Sequence, residues 1–314
     1  MELAELNPHL THLSLLNGDV IFTEATGHRV HNRLILKFYS MVYDFNRANE
    51  HVIRLTLDTD THVPYNENTV LAADVMIANR ARLATGIYTP NVTGEIGYCC
   101  KLSKLTSLAP YYLCDAPDNH TELYFILKLC YPYSIAHPNQ FQMVFILYDR
   151  QHLPSPVSVV SCGTIPVSEA VRGHIANLTG ISLQTHPDRH RGHGYGGLPC
   201  SWANRGHADY TVTLGGARMV STNRDADMTP GVADPDLYAF DISLYELQEV
   251  ATEALVCMKN VNEGHTAVSQ AEFEAQLNLA ADKGVAAAGG GGAGGGGAAA
   301  ILASTLLHLD HLRD

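Results

Sequence analysis

Two apolar runs near the middle of the chain constrain its fold most strongly. Residues 123–131 and 141–148 are rich in aromatic and β-branched side chains, which favour strands. Prolines interrupt the sequence around them, at Pro132, Pro138, Pro154, Pro156 and Pro166. Because proline is excluded from the interior of most elements, this spacing predicts an antiparallel sandwich- or barrel-like body rather than a repeated strand and helix alternation.

Shorter segments extend this β-rich body. Residues 52–57 alternate in polarity as a half-buried strand does, and 157–162 and 210–214 predict two further strands. Residues 69–84 differ, because their apolar positions fall near helical spacing. We predict a helix there that covers or crosses the sheet.

The pattern changes to helical at Asp241. Apolar residues from Leu244 to Met258 share one helical face, and Ser243 and Glu246 have the spacing of a capping box. Ser269 and Glu272 repeat that spacing before a second apolar stripe. The sequence therefore predicts the α+β class, with a β-rich body at 1–240, including one or more covering helices, and a C-terminal helical region at 241–284.

The last 30 residues have an unusual composition. Residues 286–300 contain only Ala and Gly, which predicts a flexible tether over 285–300. The following segment, 301–314, predicts a short amphipathic helix that is too short to be stable alone. We expect it to dock on a neighbouring subunit, with docking on the same molecule as the alternative. Its interface side chains are Ile301, Leu302, Leu306, Leu309 and Leu312.

Composition narrows the functional classes. The 314 residues carry a formal charge of −12, which excludes generic basic nucleic-acid binding. No signal peptide and no run of about 18 apolar residues is present, so we expect neither secretion nor membrane contact. The 7 cysteines form no Cys-x-x-Cys pair, which indicates a reducing intracellular compartment, or a virion if the chain is viral.

The densest group of unusual residues lies in the loop at 186–207. Its imidazoles and one thiol are ligands that zinc takes in tetrahedral sites. A polar, glycine-rich surface loop explains the same residues without a metal, because the chain has 17 His. The candidate zinc ligands are His186, His190, His193, Cys200 and His207.

The same loop contains Arg-Gly-His-Gly-Tyr-Gly at 191–196, after a predicted strand at 181–185. This Arg-x-x-Gly-x-Gly pattern resembles the acetyl-CoA pyrophosphate loop of the GNAT acetyltransferases. Pro199 departs from the family, because it falls where the next helix is expected. The resemblance implies that loop amides bind the cofactor phosphates, and its residues are Arg191, Gly192, Gly194 and Gly196.

Other motifs are weaker. Asp58, Asp60 and His62 share one face if the preceding strand continues, and we interpret them as a solvated strand end rather than a metal site. The sequence contains no Gly-x-Ser-x-Gly elbow, Walker loop or full Rossmann fingerprint.

These observations favour an assembly role over catalysis. Few charges, a dependent terminal helix and no complete catalytic motif predict a structural subunit of a larger particle, most concretely a viral capsid or capsid-associated protein. Such a chain packs against other subunits, in a homo- or hetero-oligomer, and needs no cofactor. The alternative is an enzyme that uses the 186–207 loop to bind acetyl-CoA or zinc.

Overall fold

A computed structural model describes residues 12–16, 19–23, 29–49, 52–59, 62–66, 69–84, 86, 89–98, 101–130, 137, 139–183, 210–221 and 229–262. All of these belong to one unit, Met1–Glu263. The second C-terminal helix, the 285–300 tether and the 301–314 terminal helix lie outside the described residues, so they and the domain boundaries stay predictions.

The described part contains strands β1 (His12–Leu16), β2 (Asp19–Thr23), β3 (Leu55–Asp58), β4 (His62–Asn66), β5 (Thr69–Ala72), β6 (Val75–Asn79), β7 (Val92–Gly97), β8 (Leu123–Cys130), β9 (Gln142–Asp149), β10 (Ser158–Ser161), β11 (Thr211–Leu214) and β12 (Phe240–Ser243). Its α-helices are α1 (Arg29–Asn49), α2 (Arg80–Ala84), α3 (Leu102–Ser107), α4 (Ala109–Tyr112), α5 (Glu169–Thr179), α6 (Gly216–Val220) and α7 (Leu244–Asn262). Short 3₁₀ turns occupy Arg150–His152 and Pro235–Tyr238.

A six-stranded sheet forms the centre, in the order β10-β9-β8-β7-β6-β3. All neighbours are antiparallel except β7 and β8, which run parallel because α3 and α4 carry the chain across the sheet between them. Every residue of β6, β7 and β8 is buried, which explains the nearly continuous apolar sequences of β6 and β8. The predicted α+β class is confirmed.

Smaller sheets accompany the central one. Strands β2, β1, β5 and β4 form a four-stranded sheet in that order, and β11 pairs with β12. The predicted strands at 52–57, 157–162 and 210–214 correspond to β3, β10 and β11, with ends that differ by at most three residues.

Each face of the central sheet packs against helices. Helices α1 and α7 cover one face, where the ring of Phe125 stacks between Phe38 and Phe145 at centroid distances of 5.0 and 5.3 Å. Helices α3, α4 and α5 cover the other face, where buried tyrosines lie among aliphatic side chains. Among the described residues, no helix has the length and apolar content needed to cross a membrane.

Helix α7 is capped at its start and is bonded to the other long helix, α1. The backbone N–H of Glu246 donates to Oγ of Ser243 at 3.3 Å, as the predicted cap requires. Lys37 of α1 lies 2.7 Å from the Glu246 carboxylate of α7. The C-terminal helix therefore packs on the first long helix of the chain.

The predicted helix at 69–84 is wrong. This segment forms β5, β6 and only one short helical turn, α2, at its end. Residues 71–79 are all buried, so apolar side chains occur on both faces of β5 and β6. The helical spacing among these apolar positions is therefore a coincidence.

Candidate active site

Two acidic side chains meet inside the central sheet. Asp74 directly precedes β6, and Glu95 lies in the middle of β7. Val75 pairs with Gly94 in the antiparallel ladder, so the next position along places Asp74 opposite Glu95. Asp74 is 7 % exposed and Glu95 is 8 % exposed. We call these two carboxylates the acidic pair.

Hydrogen bonds fix Asp74. One carboxylate oxygen accepts the backbone N–H of Ile96 at 2.7 Å. The other oxygen lies 3.0 Å from Nε2 of His31, a buried residue of α1. Asp74 is therefore held between a strand of the sheet and the helix that covers it.

Glu95 is held from the other face of the sheet. The hydroxyl of Tyr112 donates to Oε1 of Glu95 at 2.5 Å. The Tyr112 ring is itself fixed, because it stacks on Tyr124 and meets Tyr65 edge to face at centroid distances of 4.9 and 5.2 Å. This packing leaves the Glu95 carboxylate little freedom to move.

The surroundings raise the pKa of Glu95. Burial raises this pKa well above its ordinary value, the charge of Asp74 raises it further, and a hydrogen bond between the two side chains adds to this. The Tyr112 hydrogen bond and the charge of Lys104 act in the opposite direction. The net effect favours a proton on Glu95, which the hydrogen bond to Asp74 lets the acidic pair share.

One ammonium group acts on the acidic pair, because Lys104 of α3 is close enough for its charge to lower the pKa of Glu95. Lys128 of β8 pairs with Gly97 of β7, and its Nζ donates to the carbonyl oxygens of Gly97 and Tyr98 at 3.2 and 2.9 Å. The site thus combines two carboxylates, one imidazole and the charge of Lys104, with Lys128 bound at the end of β7.

The acidic pair fits some metal ions better than others. Within the described ranges, no group of three or more His, Cys, Asp or Glu side chains is placed to hold a metal ion. Zinc normally takes three or four protein ligands, so the pair does not suit it. Magnesium is commonly held by one or two carboxylates, with waters and substrate phosphates completing its shell, and two carboxylates suffice for that.

A cavity of about 600 Å³ lies at the other end of β8. Arg218 lines it and forms ion pairs with Glu122 at 2.7 Å and Asp149 at 3.2 Å. Arg150 and Asp115 also line it, so positive and negative side chains nearly balance there. The cavity offers no excess charge and no cluster comparable to the acidic pair.

The sequence-predicted sites do not coincide with the acidic pair. Of the weaker strand-end cluster, Asp58 is exposed at the end of β3, and Asp60 lies outside the described residues. The zinc and acetyl-CoA interpretations and the subunit-docking prediction stay predictions, because every residue they name lies outside the described ranges. These are His186, His190, Arg191, Gly192, His193, Gly194, Gly196, Cys200, His207, Ile301, Leu302, Leu306, Leu309 and Leu312.

Sequence reasoning missed the acidic pair, although a signal was present. Asp74 and Glu95 are single acidic residues within apolar segments, and Lys128 is the one charged residue within β8. A charged side chain rarely lies in a fully buried strand unless it has a partner. The isolated, oppositely charged Glu95 and Lys128 in neighbouring buried strands could therefore have indicated the site.

Comparisons with known proteins give little guidance. No family model and no curated protein matches the sequence. A solved structure described as "a putative nuclease belonging to DUF820 from Anabaena variabilis ATCC 29413" is similar over 50% of this chain and 80% of that chain, at 12% identity and a TM-score of 0.33. The matched structure is described as a nuclease and not as a capsid protein, so the expected capsid or capsid-associated role is contradicted and we withdraw it. A structural similarity this low assigns neither a fold nor an activity to the chain. A functional assignment therefore depends on the side-chain geometry alone.

Proposed function

We propose that the chain is a magnesium-dependent hydrolase of phosphodiesters, with Asp74 and Glu95 as the cation ligands. The observation that carries the proposal is the meeting of these two buried carboxylates opposite each other, one just before β6 and one within β7, near Lys104. Paired carboxylates next to a lysine suit phosphoryl chemistry, in which negative charge must be bound and neutralised.

A divalent cation suits the acidic pair because it replaces the shared proton. Two ionised carboxylates repel each other in a buried site, and this repulsion contributes to the raised pKa of Glu95. A cation of charge +2 balances both carboxylates at once. When bound, it would polarise the phosphoryl oxygen and activate a water molecule.

The remaining side chains position the reacting groups. His31 and the Ile96 N–H hold the Asp74 carboxylate, and Tyr112 holds Glu95. Lys104 lies near Glu95 and is the side chain that binds a phosphate oxygen of the substrate. Lys128 is bound by two carbonyl oxygens at the ends of β7 and β8, so we give it a positioning role.

A second candidate function follows from the hydrogen bond between Asp74 and Glu95. A carboxyl pair that shares one proton supplies a general acid and a general base without any metal. Such a dyad would hydrolyse its substrate in the presence of a chelator, which separates the two candidates.

The test measures hydrolysis of bis(p-nitrophenyl) phosphate and of a labelled oligonucleotide by the full chain, with Mg²⁺ or with EDTA. Asp74→Asn and Glu95→Gln should each lower the rate by about 100-fold or more, because loss of a ligand affects a metal site at least as much as loss of its outer support. Asp58→Asn is the matched control, since Asp58 is an exposed acid at the end of β3. Equal rates for Asp74→Asn and the unchanged protein would overturn the proposal.

We also infer a reducing compartment, as the composition predicts. Cys130 is a buried free thiol, and burial raises its pKa to about 11. A buried thiol of this kind behaves as a small apolar side chain rather than as a redox group, which supports the inference. Mass spectrometry of alkylated protein from its native cells tests it, and a disulfide at Cys130 or at the exposed Cys257 would contradict it.

A further inference from the structure

A groove of about 340 Å³ lies where the end of α1 meets β3 and α2. Three arginines line it, Arg47 from α1, Arg54 just before β3 and Arg80 at the start of α2. Tyr43, one helical turn before Arg47, lines the same groove and is 62% exposed. We call these four residues the arginine groove.

The backbone beneath the arginine groove is firmly held. The Asn46 amide forms two hydrogen bonds with the backbone of Leu55, both at 2.7 Å. The backbone N–H of Arg80 donates to the carbonyl oxygen of Arg54 at 2.8 Å. The three arginines therefore project from a fixed junction of helix and sheet, so little ordering of the backbone is needed when a ligand binds.

Among the described residues, nothing neutralises the positive charge of the groove. In this part of the chain no acidic side chain lines it, and none of the three guanidinium groups forms an ion pair or a side-chain hydrogen bond. Asp44 lies beside Tyr43 on α1 but does not line the groove. Three uncompensated arginines in a chain of net charge −12 mark a local anion site.

We infer that the arginine groove binds single-stranded nucleic acid. Guanidinium groups bind phosphates through parallel hydrogen bonds, and three within one groove match the repeated charges of a phosphodiester backbone. The exposed Tyr43 ring supplies a surface on which an unpaired base stacks. A purely ionic partner, such as polyphosphate or an acidic protein segment, would make no use of that ring.

The groove is placed to serve the acidic pair. Asp74 and Arg80 flank opposite ends of β6, about 20 Å apart at roughly 3.3 Å per residue. Helix α1 extends between the same two regions, and His31 and Arg47 lie about 24 Å apart along it at roughly 1.5 Å per residue. One exposed face of α1 carries no acidic side chain between these ends. It consists of Arg29, Arg33, Leu36, Ser40, Tyr43 and Arg47.

The role of the groove as a substrate site rests on the proposed function, whereas its binding of single-stranded nucleic acid does not. We therefore measure binding without catalysis, by fluorescence anisotropy of a labelled 12-nucleotide single strand in EDTA. The variant Arg47→Gln/Arg54→Gln/Arg80→Gln should raise the dissociation constant about tenfold or more, and should flatten its dependence on salt concentration. Tyr43→Ala should weaken binding, and Tyr43→Phe should restore it.

Matched controls separate charge from fold. Arg172→Gln removes one positive charge on α5, across the sheet from α1, and should leave binding unchanged. Circular dichroism of the triple variant should match the unchanged protein, because none of the three side chains is buried.

Three results would overturn the inference. The first is absence of binding by the unchanged protein at 50 mM salt, and the second is a triple variant that binds as tightly as the unchanged protein. The third is displacement of the strand by polyphosphate as readily as by unlabelled strand, together with a Tyr43→Ala variant whose affinity is unchanged. Failure of the hydrolysis assay alone does not affect it. Asp74→Asn should still bind the single strand, so loss of activity and loss of binding remain distinguishable.

Discussion

Nε2 of His31 lies 3.0 Å from Oδ1 of Asp74, and the two side chains are only 7% and 10% exposed. This contact joins the covering helix α1 to the first carboxylate of the acidic pair. Because the other Asp74 oxygen accepts a backbone N–H, the carboxylate has a partner on each side. A buried carboxylate left without one partner is strongly destabilising, and the contact is therefore structural as well as functional.

His31→Ala should lower the free energy of unfolding by about 2 kcal/mol, the usual effect of losing a hydrogen bond to a charged group. His31→Gln, which keeps a donor, should recover part of this loss. Urea unfolding at pH 7 measures both. Arg33→Ala, on the exposed side of the same helix, is the control and should change stability by less than about 0.5 kcal/mol. Equal stability of His31→Ala and the unchanged protein would contradict the structural role.

The acidic pair should make stability depend on pH. The folded state holds a proton on Glu95 that the unfolded chain releases above the ordinary pKa of 4.5. The stabilisation by that proton is full below pH 4.5 and is lost as the pH rises through the raised pKa. Glu95→Gln, which mimics the protonated form, should therefore match the unchanged protein near pH 4.5 and exceed its stability at pH 8.

Urea unfolding of both proteins at pH 4.5 and pH 8 in EDTA tests this dependence on pH. Glu169→Gln changes an exposed acid at the start of α5 and should show no such divergence. Parallel curves for Glu95→Gln and the unchanged protein at both pH values would show that Glu95 is ionised in the folded state.

Magnesium should stabilise the folded chain if the acidic pair binds it. At a free concentration 100 times the dissociation constant, binding to the folded state alone adds about 2.7 kcal/mol. We expect Mg²⁺ to raise the melting temperature of the unchanged protein and to have no effect on Asp74→Asn. Calorimetric scans with Mg²⁺ and with EDTA provide the measurement. A melting temperature that Mg²⁺ leaves unchanged, at concentrations that support hydrolysis, would place the metal elsewhere.

Gly94 should be intolerant of even one added methyl group. A Cβ at this position would overlap the ring of Phe125, which cannot retreat because Phe38 and Phe145 stack against it. Gly94→Ala should lower the free energy of unfolding by about 1–3 kcal/mol. Gly173→Ala is the matched control, because nothing lies within 4 Å of its added Cβ in α5. That change should stabilise the protein by about 0.5–1 kcal/mol. Thermal unfolding of both variants and of the unchanged protein provides the measurement.

The central strands were predictable because burial on both faces produces an unbroken apolar sequence. Strands β8 and β9 follow the runs at 123–131 and 141–148 to within a residue. Helix α7 was predictable for another reason, since its cap and its apolar stripe both follow helical rules. Helix α1 was missed, although Val30, Leu34 and Phe38 recur every four residues on its buried face.

The acidic pair could not be derived from residue spacing. Asp74 and Glu95 are 21 positions apart, and only the register between β6 and β7 places them opposite each other. His31 reaches Asp74 because α1 lies across the same face, a relationship that no local pattern encodes. Local rules identify elements, whereas a site built from a helix and two strands depends on how they pair.

The packing of α1 on α7 has a consequence for synthesis on the ribosome. Lys37 and Glu246, which meet across these helices at 2.7 Å, are more than 200 positions apart in the sequence. At about 5–20 residues per second, α1 leaves the ribosome roughly 10–40 s before α7 exists. During that interval the apolar face of α1 lacks the cover that α7 gives it, so the nascent chain is most exposed to chaperones and proteases then.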